Sequence, residues 1–123
     1  MSLRDRQRLD DLQAALDAIN DHFGRGNLSD GLVYDAVRVR LIEIGEAVKG
    51  LSADLLATEP DLPWAQIAGM RDRLAHRYFD TSHAIVQGTV DNDLPVLAAA
   101  VARLRATSRP DWRARPWERG DAP

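Results

Sequence analysis

An all-α fold, an up-and-down bundle of four to five helices, is predicted by three features of this 123-residue sequence. Apolar residues recur at three- and four-residue intervals along most of the chain, the spacing that puts them on one face of a helix. The breaks between these stretches fall at Gly, Pro, Asn, Asp and Ser, residues that cap or end helices. Strand-like alternation of apolar and polar residues is missing, as are repeats and low-complexity tracts. With 45% apolar residues, the chain can form one domain around one core.

The first helix is expected from about Arg4 to Phe23, because Leu9, Leu12, Leu16, Ile19 and Phe23 share a face. Gly24-Arg25-Gly26-Asn27 ends it. Ser29 is the expected N-cap of a second helix that runs to about Lys49, with Gly50 as its C-cap. Leu32, Val33, Ala36, Val37, Arg40, Leu41, Ile44 and Val48 form its broad stripe. Gly45 in the interior costs roughly 1 kcal/mol against alanine and is read as a point of close approach for a neighbouring helix. Ser52 to Glu59 fits a short helix before the turn Pro60-Asp61-Leu62-Pro63. Pro63 suits the first turn of a helix from about Trp64, a core residue, to Tyr78. Asp80-Thr81-Ser82 offers caps for the next helix, with Ile85, Val86 and Val90. The last runs from about Asp91 to Ala106, capped by Asp91 or Asn92, with Pro95 in its first turn. Alternatively these two form one helix kinked at Pro95. The expected division is a helical domain over residues 1–107 and an Arg/Pro/Trp-rich tail over 108–123.

Composition excludes several functions. With no cysteine, there is no disulfide and no thiolate metal site. His22, His76 and His83 lie in no ligand spacing, so neither a structural zinc nor another metal or cofactor is expected. The longest apolar run, Leu94 to Val101, contains a proline and is too short to span a bilayer. Met1 to Arg6 lacks the apolar core of a signal peptide, so the expectation is a cytoplasmic protein with no membrane partner. Residues 1–102 carry 10 basic and 16 acidic side chains, a net of −6, whereas 103–123 carry 6 arginines against 3 acids, a net of +3. A general nucleic-acid-binding domain would be basic throughout. Any RNA contact must therefore be local, through Arg71, Arg73 and Arg77 or through the tail.

The stretch Arg71-Asp72-Arg73-Leu74-Ala75-His76-Arg77-Tyr78 carries the chemistry. Its pattern, Arg-x4-His-x-Tyr, joins a fixed cation that can stabilise a crowded phosphate to an imidazole that can move a proton. On a regular helix Tyr78 shares a face with Arg71, and His76 lies about 140° round from it. Asp72 and His76 stack four apart, as do Arg73 and Arg77, so Asp72 can orient the His76 ring. One helix does not aim Arg71 and His76 at one phosphate without a bend or long side chains, whereas a two-fold dimer brings both pairs into one groove. The bland alternative is a solvated polar face with Tyr78 half-buried beside Phe79.

Three blocks resemble the HepT-like branch of the HEPN superfamily of small helical proteins. They are Ile44-Gly45-Glu46-Ala47-Val48-Lys49, Pro63-Trp64-Ala65-Gln66-Ile67-Ala68-Gly69-Met70 and Arg71 to Phe79, and Asp93-Leu94-Pro95 also fits. The resemblance covers roughly Arg4 to Ala106 and leaves out the tail. It implies a homodimeric toxin of a toxin–antitoxin pair, acting as a metal-independent RNase with its Arg-x4-His motifs at the shared cleft. It also implies a minimal nucleotidyltransferase antitoxin that transfers AMP from ATP to the motif tyrosine. Carried over, Arg71 and His76 are the catalytic pair, Asp72, Arg73 and Arg77 support them, and Tyr78 is the AMPylation site. The family commonly has Asn after the arginine and sometimes Asp; Asp72 adds negative charge near the phosphate and favours the protonated imidazole.

The mechanism expected from this resemblance is attack by a ribose 2′-hydroxyl, which makes DNA a non-substrate. The alternative is a non-catalytic HEPN module that binds a nucleotide or presents substrate to a nucleotidyltransferase, favoured by the acidic core. A plain dimeric scaffold would leave the motif unexplained. His22 reads as a helix C-terminal residue interacting with the dipole, and His83 as a residue near a helix start without a substrate role. Glu43 and Glu46 are expected to be solvated or paired with Arg40 and Lys49, unless one faces the cleft and holds Arg71. Trp112 and Trp117, among the tail arginines, can stack on bases or dock on a partner.

Overall fold

The computed structural model describes residues 1–76 and 79–108, with side chains for all of these but 76, 79–82 and 108. Among the described residues the chain forms helices α1 (Leu3–Phe23), α2 (Gly31–Lys49), α3 (Ala53–Ala57), α4 (Trp64–His76), α5 (Phe79–Gly88) and α6 (Leu94–Ser108). A π-helical turn, Thr89–Asp93, joins the last two, and no strand occurs among the described residues.

α1 is capped by Ser2, whose hydroxyl accepts from the Asp5 amide, and ends at Gly24. Its stripe Leu9, Leu12, Ala15, Leu16 and Ile19 is buried, with Phe23 at the margin. α2 is the central helix and packs against α1, α4 and α5, while α6 returns along α1. Val33, Val37, Leu41, Ile44 and Val48 of α2 meet Ile67, Met70 and Leu74 of α4 and Leu97, Val101 and Leu104 of α6 in one core. Fully burying each large aliphatic side chain contributes roughly 1.5–3 kcal/mol. Arg105 ties α6 to Asp10 of α1, and Arg103 ties it to Glu59 at 2.6 Å. The Glu59 carbonyl accepts from Trp64 Nε1 at 2.9 Å, which seats this buried tryptophan at the start of α4.

Four expectations need correction. The N-cap of α2 is Asp30, which accepts from the Leu32 and Val33 amides; the amide and hydroxyl of Ser29 turn back to the Asn27 side chain. Leu32 is 82% exposed and leaves the apolar stripe, because the first turn of α2 packs through Val33 and Tyr34, which are buried on its other side. α5 begins at Phe79, so Asp80, Thr81 and Ser82 lie inside it, not ahead of it. The final helices form one helical path, as the alternative held, but a π turn rather than a kink at Pro95 marks the junction. Pro95 has no N–H to give, and its ring presses on the carbonyl four residues back. In the turn before it the Leu94 amide reaches five residues back to Thr89, the wider spacing of a π turn. The Thr89 hydroxyl also donates to the Ile85 carbonyl at 2.8 Å.

The two ends of the α1–α2 hairpin are pinned by Asp5, which is only 4% exposed. Its carboxylate accepts from the Ser52 amide at 2.9 Å and the Ser52 hydroxyl at 2.7 Å. Burial acts to raise the Asp5 pKa, but these Ser52 hydrogen bonds, with Ser2 and the N-terminal charge, outweigh it and leave it below the usual carboxylate range. A depressed folded-state pKa contributes stability that is present above the unfolded value, near 3.8, and is lost as pH falls through the folded one. Asp5→Ala is expected to cost about 1–3 kcal/mol near neutrality by orphaning both Ser52 donors. Urea unfolding should show this difference shrinking below about pH 4; a difference independent of pH would refute the assignment.

Candidate functional site

The position of α4 is set where it touches α2. A Cβ built on Gly45 would lie 3.0 Å from the Arg71 amide nitrogen, 3.1 Å from the Ile67 carbonyl oxygen and 3.3 Å from that of Ala68. The expected close approach at Gly45 is therefore real, and its partner is the backbone of α4 at the start of the Arg71–His76 segment. One turn further along, Arg38 of α2 donates to the Leu74 carbonyl. That carbonyl is in the last described turn of α4, where a cation also meets the negative end of the helix dipole.

Arg71 reaches over α2. Its Nε lies 2.5 Å from Glu46 Oε1, and its Nη1 lies 3.3 Å from Asp72 Oδ1. The pair is at the surface, Arg71 being 43% and Glu46 50% exposed. Glu43 pairs with Arg40 at 2.9 Å, so the two glutamates divide as the open alternative allowed: one bridges neighbours on its own helix and the other holds Arg71. Glu43 and Glu46 line a depression of about 410 Å³ with Arg8 and Arg40. Those arginines are already compensated by Asp11 and Glu43, which leaves the recess little pull on a phosphate.

Arg73 does not join Arg71. Two residues on, it turns to the far side of α4, where its Nη2 donates to the Gln66 carbonyl at 2.9 Å. There it lines a recess with Ile85, Gly88, Thr89, Asn92 and Asp93. His76 is the last described residue of α4, about 140° round the helix from Arg71, and its side chain lies outside the described set. Arg77 and Tyr78 lie outside the described residues, as do Trp112, Trp117 and the rest of the tail beyond Ser108. Asp72 turns its carboxylate to Arg71. His83, on α5, stacks on Tyr34 of α2 with ring centroids 5.0 Å apart and lies 3.3 Å from the Leu28 carbonyl oxygen. It thus fastens the segment after the motif to α2. His22 is in the last turn of α1, as expected. Arg38 is the nearby residue that sequence reasoning missed: it falls outside the predicted stripe of α2, and no local signal marks its partner on another helix.

The helical bundle that the described residues form fits the HEPN class of small helical proteins. The chain belongs to its HepT-like family: the family model described as ribonuclease HepT-like matches residues 8–104. Among similar proteins, one of Caldanaerobacter subterraneus named as an RNase is 40% identical over 54% of this chain and 60% of its own. One of Thermococcus cleftensis named as ribonuclease HepT is 38% identical over 54% of this chain and 62% of its own. One of Methanocaldococcus jannaschii named as an RNase is 36% identical over 71% of this chain and 72% of its own. The chain thus spans about three fifths of the length of the first two. No solved structure matches it. Among the described residues no helix is long and apolar enough to cross a membrane.

Proposed function

We propose that this protein is a metal-independent RNase, the toxin of a toxin–antitoxin pair, acting as a two-fold dimer through Arg71 and His76. The observation that carries the reading is the half-exposed Arg71 guanidinium, held by Glu46 at the head of the Arg-x4-His segment. Membership of the ribonuclease HepT-like family supports it, as do relatives named as RNases. In this mechanism His76 takes the proton from a ribose 2′-hydroxyl. The oxygen attacks the adjacent phosphorus, Arg71 stabilises the added charge, and His76 of the second copy protonates the departing 5′-oxygen. The products are a 2′,3′-cyclic phosphate and a 5′-hydroxyl. DNA lacks the nucleophile. Residues 1–107 carry this activity, and the basic tail, 108–123, is available to an acidic partner.

Purified protein incubated with total cellular RNA in EDTA should yield fragments ending in 2′,3′-cyclic phosphate. Inert RNA, from dimeric protein shown by intact mass to be unmodified, would refute the proposal. That outcome would favour the second reading, a nucleotide- or substrate-presenting module. One observation leans that way: two carboxylates, Glu46 and Asp72, already meet the Arg71 charge.

The proposed partner is a minimal nucleotidyltransferase antitoxin. The Tyr78 oxygen attacks the α-phosphorus of ATP, pyrophosphate leaves, and the phenolic proton is lost. The product carries about one negative charge and a bulky nucleoside seven residues from Arg71 in the sequence, and this charge repels RNA phosphate. Tyr78→Phe, incubated with the antitoxin and ATP, is expected to gain no AMP by intact mass and to escape silencing. AMP recovered in equal yield on another residue would count against Tyr78.

A further inference from the structure

The Glu46–Arg71 pair presents a physical problem. An ion pair this exposed, 43% and 50% on its two sides, contributes only about 0–1 kcal/mol to stability. An acid beside a phosphate-binding arginine also weakens attraction for RNA. Glu46 therefore does little for the fold and works against substrate affinity. Its geometry offers a third role. A guanidinium is a rigid planar fork with five donors. Glu46 Oε1 forms an ion pair on the Nε side, 2.5 Å from that nitrogen, and Nη1 donates a hydrogen bond to Asp72 at 3.3 Å. The outer edge, between Nη1 and Nη2, is the one that matches two phosphate oxygens. The Glu46 carboxylate on the Nε side holds the head group against α2 and leaves that edge for substrate.

The backbone reinforces this. Glu46 directly follows Gly45, the residue at which α2 comes within van der Waals reach of the Arg71 amide. Consecutive residues of one helix thus set both the main chain and the head group of Arg71. A long arginine chain ordinarily loses about 2 kcal/mol of rotamer freedom when immobilised. Here much of that ordering precedes substrate binding.

We propose that Glu46 is a positioning residue: it orients the Arg71 guanidinium so that its outer edge meets the phosphate, with the Asp72 contact giving way to the substrate. This rests on the RNase reading above. Its signature is an effect on kcat rather than KM, because orientation matters most when charge builds in the transition state.

The experiment compares wild type with Glu46→Gln, Glu46→Asp and, as control, Glu43→Gln. Two readouts are followed: cleavage of a defined RNA oligonucleotide, and the Arg71 Nε–H NMR cross-peak, assigned by its loss in Arg71→Lys. Glu46→Gln should lower kcat about 10- to 100-fold with KM within about twofold, and should shift the Arg71 Nε–H peak. Glu46→Asp should recover part of both, and Glu43→Gln should match wild type. Thermal melting should be nearly constant across the set. An unmoved Arg71 peak in Glu46→Gln, or an unmoved kcat, overturns the proposal. If wild type cleaves nothing while the peak still depends on Glu46, the RNase reading fails and the clasp on Arg71 stands.

Discussion

His76→Ala is expected to lower RNA cleavage in EDTA about 10²- to 10⁴-fold, the range for losing a positioned proton-transfer group. Arg71→Ala should lose a comparable amount, about 10²–10³, by removing the donors that meet the developing charge. In the proposed mechanism Arg71 and His76 act as one unit, so the double variant should be little worse than either single one. Arg71→Ala does not touch the core: the Arg71 side chain is half in solvent, and the helix around it is anchored by Ile67, Met70 and Leu74. Its urea midpoint should therefore stay close to wild type. Arg71→Lys is the informative intermediate. It keeps the charge but loses both the Nε edge that Glu46 grips and the bidentate fork, so cleavage should remain far below wild type. Full activity in His76→Ala would remove this histidine from the mechanism.

Gly45→Ala is expected to destabilise the protein although alanine is the better helix former. The gain in propensity is about 1 kcal/mol. Against it, the new methyl would sit 3.0–3.3 Å from three backbone atoms of α4, none of which can move without moving the helix. Overpacking of this kind costs about 1–3 kcal/mol, so the net loss should be about 1 kcal/mol, and Gly45→Val should lose more. Gly69→Ala provides the opposite sign: a Cβ added there would meet nothing within 4 Å, and stability should rise by about 0.5–1 kcal/mol. Urea unfolding measures both. Since the nearest atom to a Cβ on Gly45 is the Arg71 amide nitrogen, Gly45→Ala should also reduce cleavage, while equal stability of Gly45→Ala and wild type would refute the packing argument.

Helix content and most boundaries were legible because they depend on residues a few positions apart. Ser2, Ser52 and Gly24 act on their own helix ends, and the periodic leucines of α1 need only a core to face. Where two local signals competed, proximity alone did not decide. Ser29 and Asp30 are both good caps, and the Asn27 side chain took Ser29, leaving Asp30 to the helix. Pro95 announced a disturbance, but a kink and a π turn both answer its missing N–H, and the chain takes the π turn, with the Leu94 amide bonded to the Thr89 carbonyl.

The site divides the same way. By itself the sequence determined the all-helical class, the helix that bears Arg71 and His76, and the glycine at which a neighbour approaches. Each follows from periodicity, capping or the absence of a side chain, all of them local. Only the tertiary structure decided that the neighbour is α4, that Glu46 pairs with Arg71 instead of with Arg40 or Lys49, that Arg73 turns away to the Gln66 carbonyl, and that Arg38 closes onto Leu74. Charged side chains have several partners within reach of their own helix, each worth a few tenths of a kcal/mol. Which one prevails is settled by how closely two helices pack, and that distance is fixed by the whole core.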